Sequence, residues 1–343
     1  MKRRAPWLGP VLIAVLMALT AWMVFREQPI SEVLTALKRL RLRFIALGLL
    51  LMVSFVGCEA MSSRTILRQL GNTVSYRRCL GYSFTGFVFS SITPSASGGQ
   101  PAQVCSMARD GIPAAHGALT MLLNAACYQT VTLGLAVGAM AWKPALLHDL
   151  GGGLGFLLGM GAAVAAFLTF GMLAFLFAPR PAGALAGWIL ELGARLHLVR
   201  DLPTARKRLT VQLEEYRRGA ACLQARPTLL PRLLGLTVLQ LFSLYLVPGV
   251  VYGAFGLSGR SVLEIVAMQA ILTLAVGFLP LPGAVGAAEG AFLRGYTLFF
   301  GTELVAPAML ASRGISFYSF LLIASAVVLL VHLRTRRTDA AID

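Results

Sequence analysis

The sequence predicts an all-α polytopic membrane protein with about six full spans and two broken or re-entrant helical regions. Three observations predict it. Of the 343 residues, 57% are hydrophobic and only 13% charged, far from the soluble norm. Several apolar stretches reach the roughly 20 residues a spanning helix needs. Two further apolar regions are interrupted by Pro- and Gly-rich motifs, and hydrocarbon offers no water to satisfy the backbone groups such breaks set free.

The expected full spans are 7–25, 43–60, 117–141, 152–178, 229–256 and 315–333. Lys2-Arg3-Arg4 precede the first, but no small-x-small cleavage site follows and Arg26-Glu27 ends the run, so it reads as a retained helix. Regions 80–113 and 263–312 are each cut by a motif and read as broken. Lys and Arg in short loops accumulate on the cytoplasmic side. The stretch 179–228 carries Arg180, Arg195, Arg200, Arg206, Lys207, Arg208, Arg217, Arg218 and Arg226, and the C-terminal end carries Arg334, Arg336 and Arg337. Both are expected inside, with both termini cytoplasmic.

With six full spans, parity closes only if region 80–113 returns to the cytoplasmic side and 263–312 to the outer side. The breaks then enter from opposite faces, as in an inverted repeat, although the halves show no residue-by-residue similarity. The expected organisation is an N-terminal membrane half, 1–178, a basic amphipathic connector, 179–228, and a C-terminal membrane half, 229–343. Loop 26–43 opposes the scheme, because Arg26, Lys38, Arg39, Arg41 and Arg43 fall outside. Val33, Leu34, Leu37 and Leu40 repeat at helical spacing, which suits a short surface helix.

In the connector, Asp201 can cap a helix starting at Pro203, with Leu209, Leu213, Tyr216 and Ala220 on one face. It suits either the inner leaflet or a link between halves. A net charge of +16 is spread over membrane-flanking loops, so attraction to anionic headgroups is the simpler reading and no nucleic-acid partner is expected. Cys58, Cys79, Cys105, Cys127 and Cys222 show no paired spacing. His116, His148, His197 and His332 form no cluster with them or with carboxylates, so neither metal nor disulfide framework is expected, and no cofactor. No phosphate-binding loop of the Gly-x-x-x-x-Gly-Lys-Ser/Thr type occurs.

The first motif runs Thr93-Pro94-Ser95-Ala96-Ser97-Gly98-Gly99-Gln100-Pro101. Gly98 and Gly99 permit a tight turn, and Pro101 suits the first turn of a helix beginning inside the membrane. Its free N–H groups and positive dipole end would favour an anion, with a phospholipid phosphate the abundant one here. Ser95, Ser97, Gln100 and Gln103 add polar groups without fixed charge. A tight turn with no ligand fits the same residues.

The second motif, Leu279-Pro280-Leu281-Pro282-Gly283-Ala284-Val285-Gly286-Ala287-Ala288-Glu289-Gly290, sets Glu289 near a helix start. A carboxylate at mid-membrane costs about 2.5 to 3.5 kcal/mol on insertion scales and should face protein or water. Headgroup contact, proton transfer and pairing with Arg294 or Arg109 are open roles, as is a mere dipole partner. Asn124 and Tyr128, four apart, share a face suited to a polar slot or to interhelical hydrogen bonds. Gln129, Gln240 and Gln269 are further polar residues within apolar helices, and Glu59, at its span's end, suits the interface.

The two motifs, with Arg109-Asp110-Gly111, resemble in order and separation the lysylphosphatidylglycerol synthase transmembrane, or flippase-like, family, and the resemblance covers most of the chain. It implies a bacterial inner-membrane protein related to the lipid-translocating part of the multiple peptide resistance factor. In full-length members a cytoplasmic domain moves lysine from lysyl-tRNA to phosphatidylglycerol, and the membrane part delivers the product to the outer leaflet. Resistance to cationic antimicrobial peptides is the implied benefit. The sequence stops at Asp343, ten residues after the last apolar span, so the synthase domain is not expected within it. Gln100 stands where many relatives carry glutamate, and Ala102-Gln103 where many carry arginine.

The expected activity is therefore translocation of an anionic or aminoacylated phospholipid such as lysylphosphatidylglycerol, in a cavity drawing on Ser95, Ser97, Gly98, Gly99, Gln100, Gln103, Arg109, Asn124, Tyr128, Pro282, Gly283, Gly286, Glu289 and Arg294. A separate cytoplasmic synthase is a compatible partner, as is a second copy of the chain. The alternative is the phosphatidylglycerol lysyltransferase of the family name, and a membrane partner without transport is a third class.

Overall fold

The computed structural model describes residues 42–93, 96–148, 151–177, 187–188, 191, 202–281 and 284–339. The expected span 7–25, the loop to residue 41, and Ser95, Pro282 and Gly283 lie outside the described residues.

Every regular element among the described residues is helical: α1 (Leu42–Gln69), α2 (Tyr76–Ile92), α3 (Gly99–Arg109), α4 (Ala114–Trp142), α5 (Gly151–Phe177), α6 (Leu202–Gln224), α7 (Leu229–Tyr245), α8 (Val247–Ala254), α9 (Val262–Val276), α10 (Ala287–Arg313) and α11 (Phe320–Asp339), with a short helix at Ala145–His148 and a π turn at Gly314–Ser319. Five runs are long and apolar enough to cross a membrane: Arg43–Gln69, Ala114–Trp142, Gly152–Phe175, Leu229–Ala254 and Ala287–Leu330. This is an all-α polytopic membrane protein.

The last run is two structures rather than one. Gly301 breaks it with φ 71° and ψ 172°, values reserved for glycine. Phe300 just before the break packs edge-on against Tyr252 and Phe255, and Arg260 sits over Phe299. The first part of α10 therefore returns to the end of the bundle from which α9 departs. The second broken region ends at Gly301 rather than at 312, and the final crossing starts at Thr302 instead of near 315.

Contacts assign the remaining ends. Tyr216 donates to the Phe175 carbonyl at 3.1 Å, Gln212 accepts from the Ala115 amide at 3.0 Å, and Cys222 donates to the Gln69 carbonyl at 3.3 Å. The end of α1, the start of α4 and the end of α5 thus meet at α6, here called the connector end. At the far end, Lys143 after α4 pairs with Glu264 in the first turn of α9.

The pair α2–α3 enters from the connector end and returns to it, since Tyr82 donates to Asp110 and Val74, Cys79, Met107 and Ile112 share one apolar cluster. The pair α9–α10 enters from the far end. At 1.5 Å per residue, α2 and α9 measure about 26 Å and 23 Å, short of the roughly 30 Å hydrocarbon core. Neither crosses. The opposite entry expected from parity is what the contacts show.

The two hairpins are built alike. Ser75 caps α2 by accepting from the Arg78 amide, and Ser261 caps α9 by accepting from Leu263. Each break then holds an alanine with positive φ, Ala96 at 54° and Ala284 at 52°, and each alanine N–H reaches back three residues, to Thr93 and Leu281. A left-handed alanine costs on the order of 1 to 3 kcal/mol and persists only where its surroundings impose it.

Helix α9 forms the centre: Ile265, Met268, Ile271, Leu272 and Ala275 are among its buried positions. A helix apolar all round must be enclosed, and it packs on α4, α5 and α10. Helix α6 does not lie free on the leaflet. Its Tyr216, Ala220 and Leu223 join Ile66, Leu119, Leu229 and Leu233 in an apolar cluster, and burial holds the Tyr216 phenol above its ordinary pKa.

Candidate functional site

The two hairpin tips and the final crossing helix supply the polar groups at depth. At the second tip Glu289 is 1% exposed. Its Oε2 accepts from the Gly286 N–H at 2.6 Å, closing the helix start from below as a capping carboxylate does. Its Oε1 accepts from Arg313 Nε at 2.7 Å. The arginine that neutralises it is therefore Arg313, not Arg294 or Arg109, both of which are exposed.

Arg313 stands twelve residues beyond the Gly301 break, about 18 Å along its helix, roughly half the hydrocarbon thickness. Its guanidinium lies 4.6 Å from the Phe317 ring, and the π turn Gly314–Ser319 follows directly. Such π segments are frequent at functional positions. The pair satisfies the demand that charge in a membrane face its opposite, and it fastens the second hairpin to the last crossing helix.

At the first tip the helix start is closed from above instead: the Gly98 N–H donates to Thr93 Oγ1 at 2.9 Å. Gly98 and Gly286 thus occupy equivalent helix starts with different side-chain acceptors. Ser97 and Gln100 are exposed at this tip. Gly99 is held by sterics, because a Cβ there would sit 2.7 Å from the Gly86 carbonyl oxygen. Small residues let the backbones of α2 and α3 approach this closely.

Gln103 turns inward, 5% exposed, and its Nε2 donates to Glu59 Oε1 at 2.8 Å. Glu59 is not an interface residue. Helix α1 runs on to Gln69, so what looked like a span end is its interior. Gln103 Oε1 is buried without a hydrogen-bond partner, and Ser83 lies beside the same carboxylate. Gln103→Ala should strip the carboxylate of this donor and cost about 1 to 3 kcal/mol. Thermal unfolding of the detergent-solubilised protein checks this, and an unchanged midpoint would show that the pair contributes nothing.

Asn124 and Tyr128 do share a face, turned towards α1. Asn124 Nδ2 donates to Ser63 Oγ at 2.9 Å, and Tyr128 lies within electrostatic reach of Glu59 and Tyr245. The slot is an interhelical ladder, since Glu59 and Ser63 are also four apart. Tyr296 adds bonds to the Ile265 carbonyl and to Gln269, at 2.8 and 3.2 Å. One histidine departs from the expected isolation: His116 Nε2 lies 3.5 Å from Glu215, and Asn72 meets its Nδ1 at 2.8 Å.

Of the expected site residues, Gly286 and Glu289 meet directly, Gly98 and Gly99 shape the first tip, and Gln103, Asn124 and Tyr128 face α1. Arg109 and Arg294 are exposed. Arg313 and Glu59 pair with two of these residues, Glu289 and Gln103. No curated protein matches the chain. The profile of the family described as lysylphosphatidylglycerol synthase TM region matches residues 7–324, and the chain belongs to that family.

Proposed function

We propose that this protein is a lipid translocase that moves an anionic or aminoacylated phospholipid, such as lysylphosphatidylglycerol, between leaflets of the bacterial inner membrane. The carrying observation is a pair of hairpins that enter from opposite ends and turn back short of crossing, with the Glu289–Arg313 pair at the second tip. Broken helices meeting near the midplane are how many transporters build a substrate site.

In this reading residues 1–178 and 229–343 are pseudo-symmetric halves joined by a cytoplasmic connector. The start of α3 at Gly98, Gly99 and Gln100 offers the phosphate a positive dipole end, with Ser97 beside it. Glu289, exchanging Arg313 for a cationic headgroup, attends to the other part. Acyl tails stay in lipid. A separate synthase would supply the aminoacyl lipid, and its appearance outside would reduce attraction of cationic peptides.

The family description favours a second reading, lysine transfer from lysyl-tRNA to phosphatidylglycerol. Both are tested in proteoliposomes by following phosphatidylglycerol and lysylphosphatidylglycerol across the bilayer, with lysyl-tRNA in a parallel sample. Movement of lysylphosphatidylglycerol without new lysyl lipid is expected. New lysyl lipid without movement would overturn the translocase reading and establish the transferase.

A further inference from the structure

A second polar feature lies at the connector end, away from both hairpin tips. Arg64 and Arg68 occupy the last turns of α1, and Arg232 the first turn of α7. With Met61, Thr65 and Gln69 they line a groove of about 340 Å³. Gln69 is anchored there by Cys222 at the end of α6.

The C-terminal dipole end of α1 favours Arg68, but the rest of the placement is costly. Arg64 and Arg68 are four apart on one helix, where like charges repel. Arg232 sits at the positive end of the α7 dipole, the wrong end for a cation. Among the described residues no carboxylate lies within ion-pair distance of any of the three. Arg64 Nε is buried and has no acceptor, and leaving such a donor unmade costs free energy. Thr65 does not help, since its hydroxyl already donates to the Met61 carbonyl.

An anion with several oxygens answers all four defects at once. A guanidinium fork matches the oxygens of a phosphate with two parallel bonds. We infer that Arg64, Arg68 and Arg232 form a binding site for the phosphate of an anionic headgroup at the connector end of the bundle. Met61 in the groove lining suits the apolar part of a lipid. This site does not depend on translocation, and its test reads binding alone, so failure here leaves the translocase reading untouched and the reverse.

The experiment titrates the purified full chain in uncharged detergent with dihexanoyl-phosphatidylglycerol, and separately with inorganic phosphate. Saturable lipid binding that weakens at least tenfold in Arg64→Gln, less in Arg64→Lys, and is not displaced by phosphate is expected. Displacement by inorganic phosphate at equal concentration would keep the anion site and overturn lipid as its source. Should Arg64→Gln lose its monodisperse profile, the exposed Arg232→Gln gives the same readout. Equal binding by wild type and folded variants would overturn the site.

Discussion

Replacing Glu289 by alanine should abolish lipid movement and lower stability by about 3 kcal/mol, because Arg313 would keep its charge in a largely enclosed place after losing the carboxylate that it bonds. The companion variant separates the causes. Glu289→Ala combined with Arg313→Met removes both charges, leaving chiefly the lost cap on the Gly286 N–H, worth about 1 kcal/mol. The double variant should therefore unfold nearer the wild type than the single one while still failing to move lipid. Denaturation midpoints in detergent, set beside transport in vesicles, check both. If the double variant were as unstable as the single one, the ion pair would not be the reason for the loss. If either variant moved lipid normally, Glu289 would have no part in translocation.

The second large effect is steric. A Cβ on Gly161 of α5 would stand 2.0 Å from the Leu274 carbonyl oxygen and 2.9 Å from its carbon. These are backbone atoms of α9 and cannot rotate aside. Gly161→Ala must push α5 from α9, and overpacking of this kind costs about 1 to 3 kcal/mol or more. Loss of the monodisperse species on size exclusion is expected. Gly159→Ala, two residues away with open space around its Cβ position, should leave the profile unchanged. Equal behaviour of the two would mean that α5 and α9 are not in such contact.

Much of this architecture is legible in the sequence because membranes permit few solutions. Length and polarity locate the crossings at α1, α4, α5 and α7–α8, and loop charge with parity requires hairpins from opposite ends. What escapes is local. Gly301 sits in an apolar run, Phe299-Phe300-Gly301-Thr302, and no hydropathy change marks the break, so the final crossing reads as starting after Arg313. That error hides Arg313, which then appears to lie at a junction rather than at depth. Glu59 is misplaced for a related reason: Ser62, Ser63 and Arg64 resemble a span's end, whereas α1 continues to Gln69. That Glu289 has a partner is legible all the same, because the cost of a buried carboxylate demands one, even though spacing does not say which.

The enclosure of α9 also constrains how the protein is made. A 15-residue helix that follows Arg260 and is stopped by Pro280 is too short to leave the translocation machinery as an independent span. It and the first part of α10 would have to enter together as a hairpin, after Tyr252–Arg260 had already reached the far side. Helices α4 and α5 are synthesised earlier and can receive it, but Arg313 emerges afterwards. Until then Glu289 lacks the Arg313 guanidinium, so the carboxylate needs water or another polar group beside it on the nascent chain. Completion of the last helix would act as the latch of assembly, and chains halted before Thr302 should be the natural targets of membrane quality control.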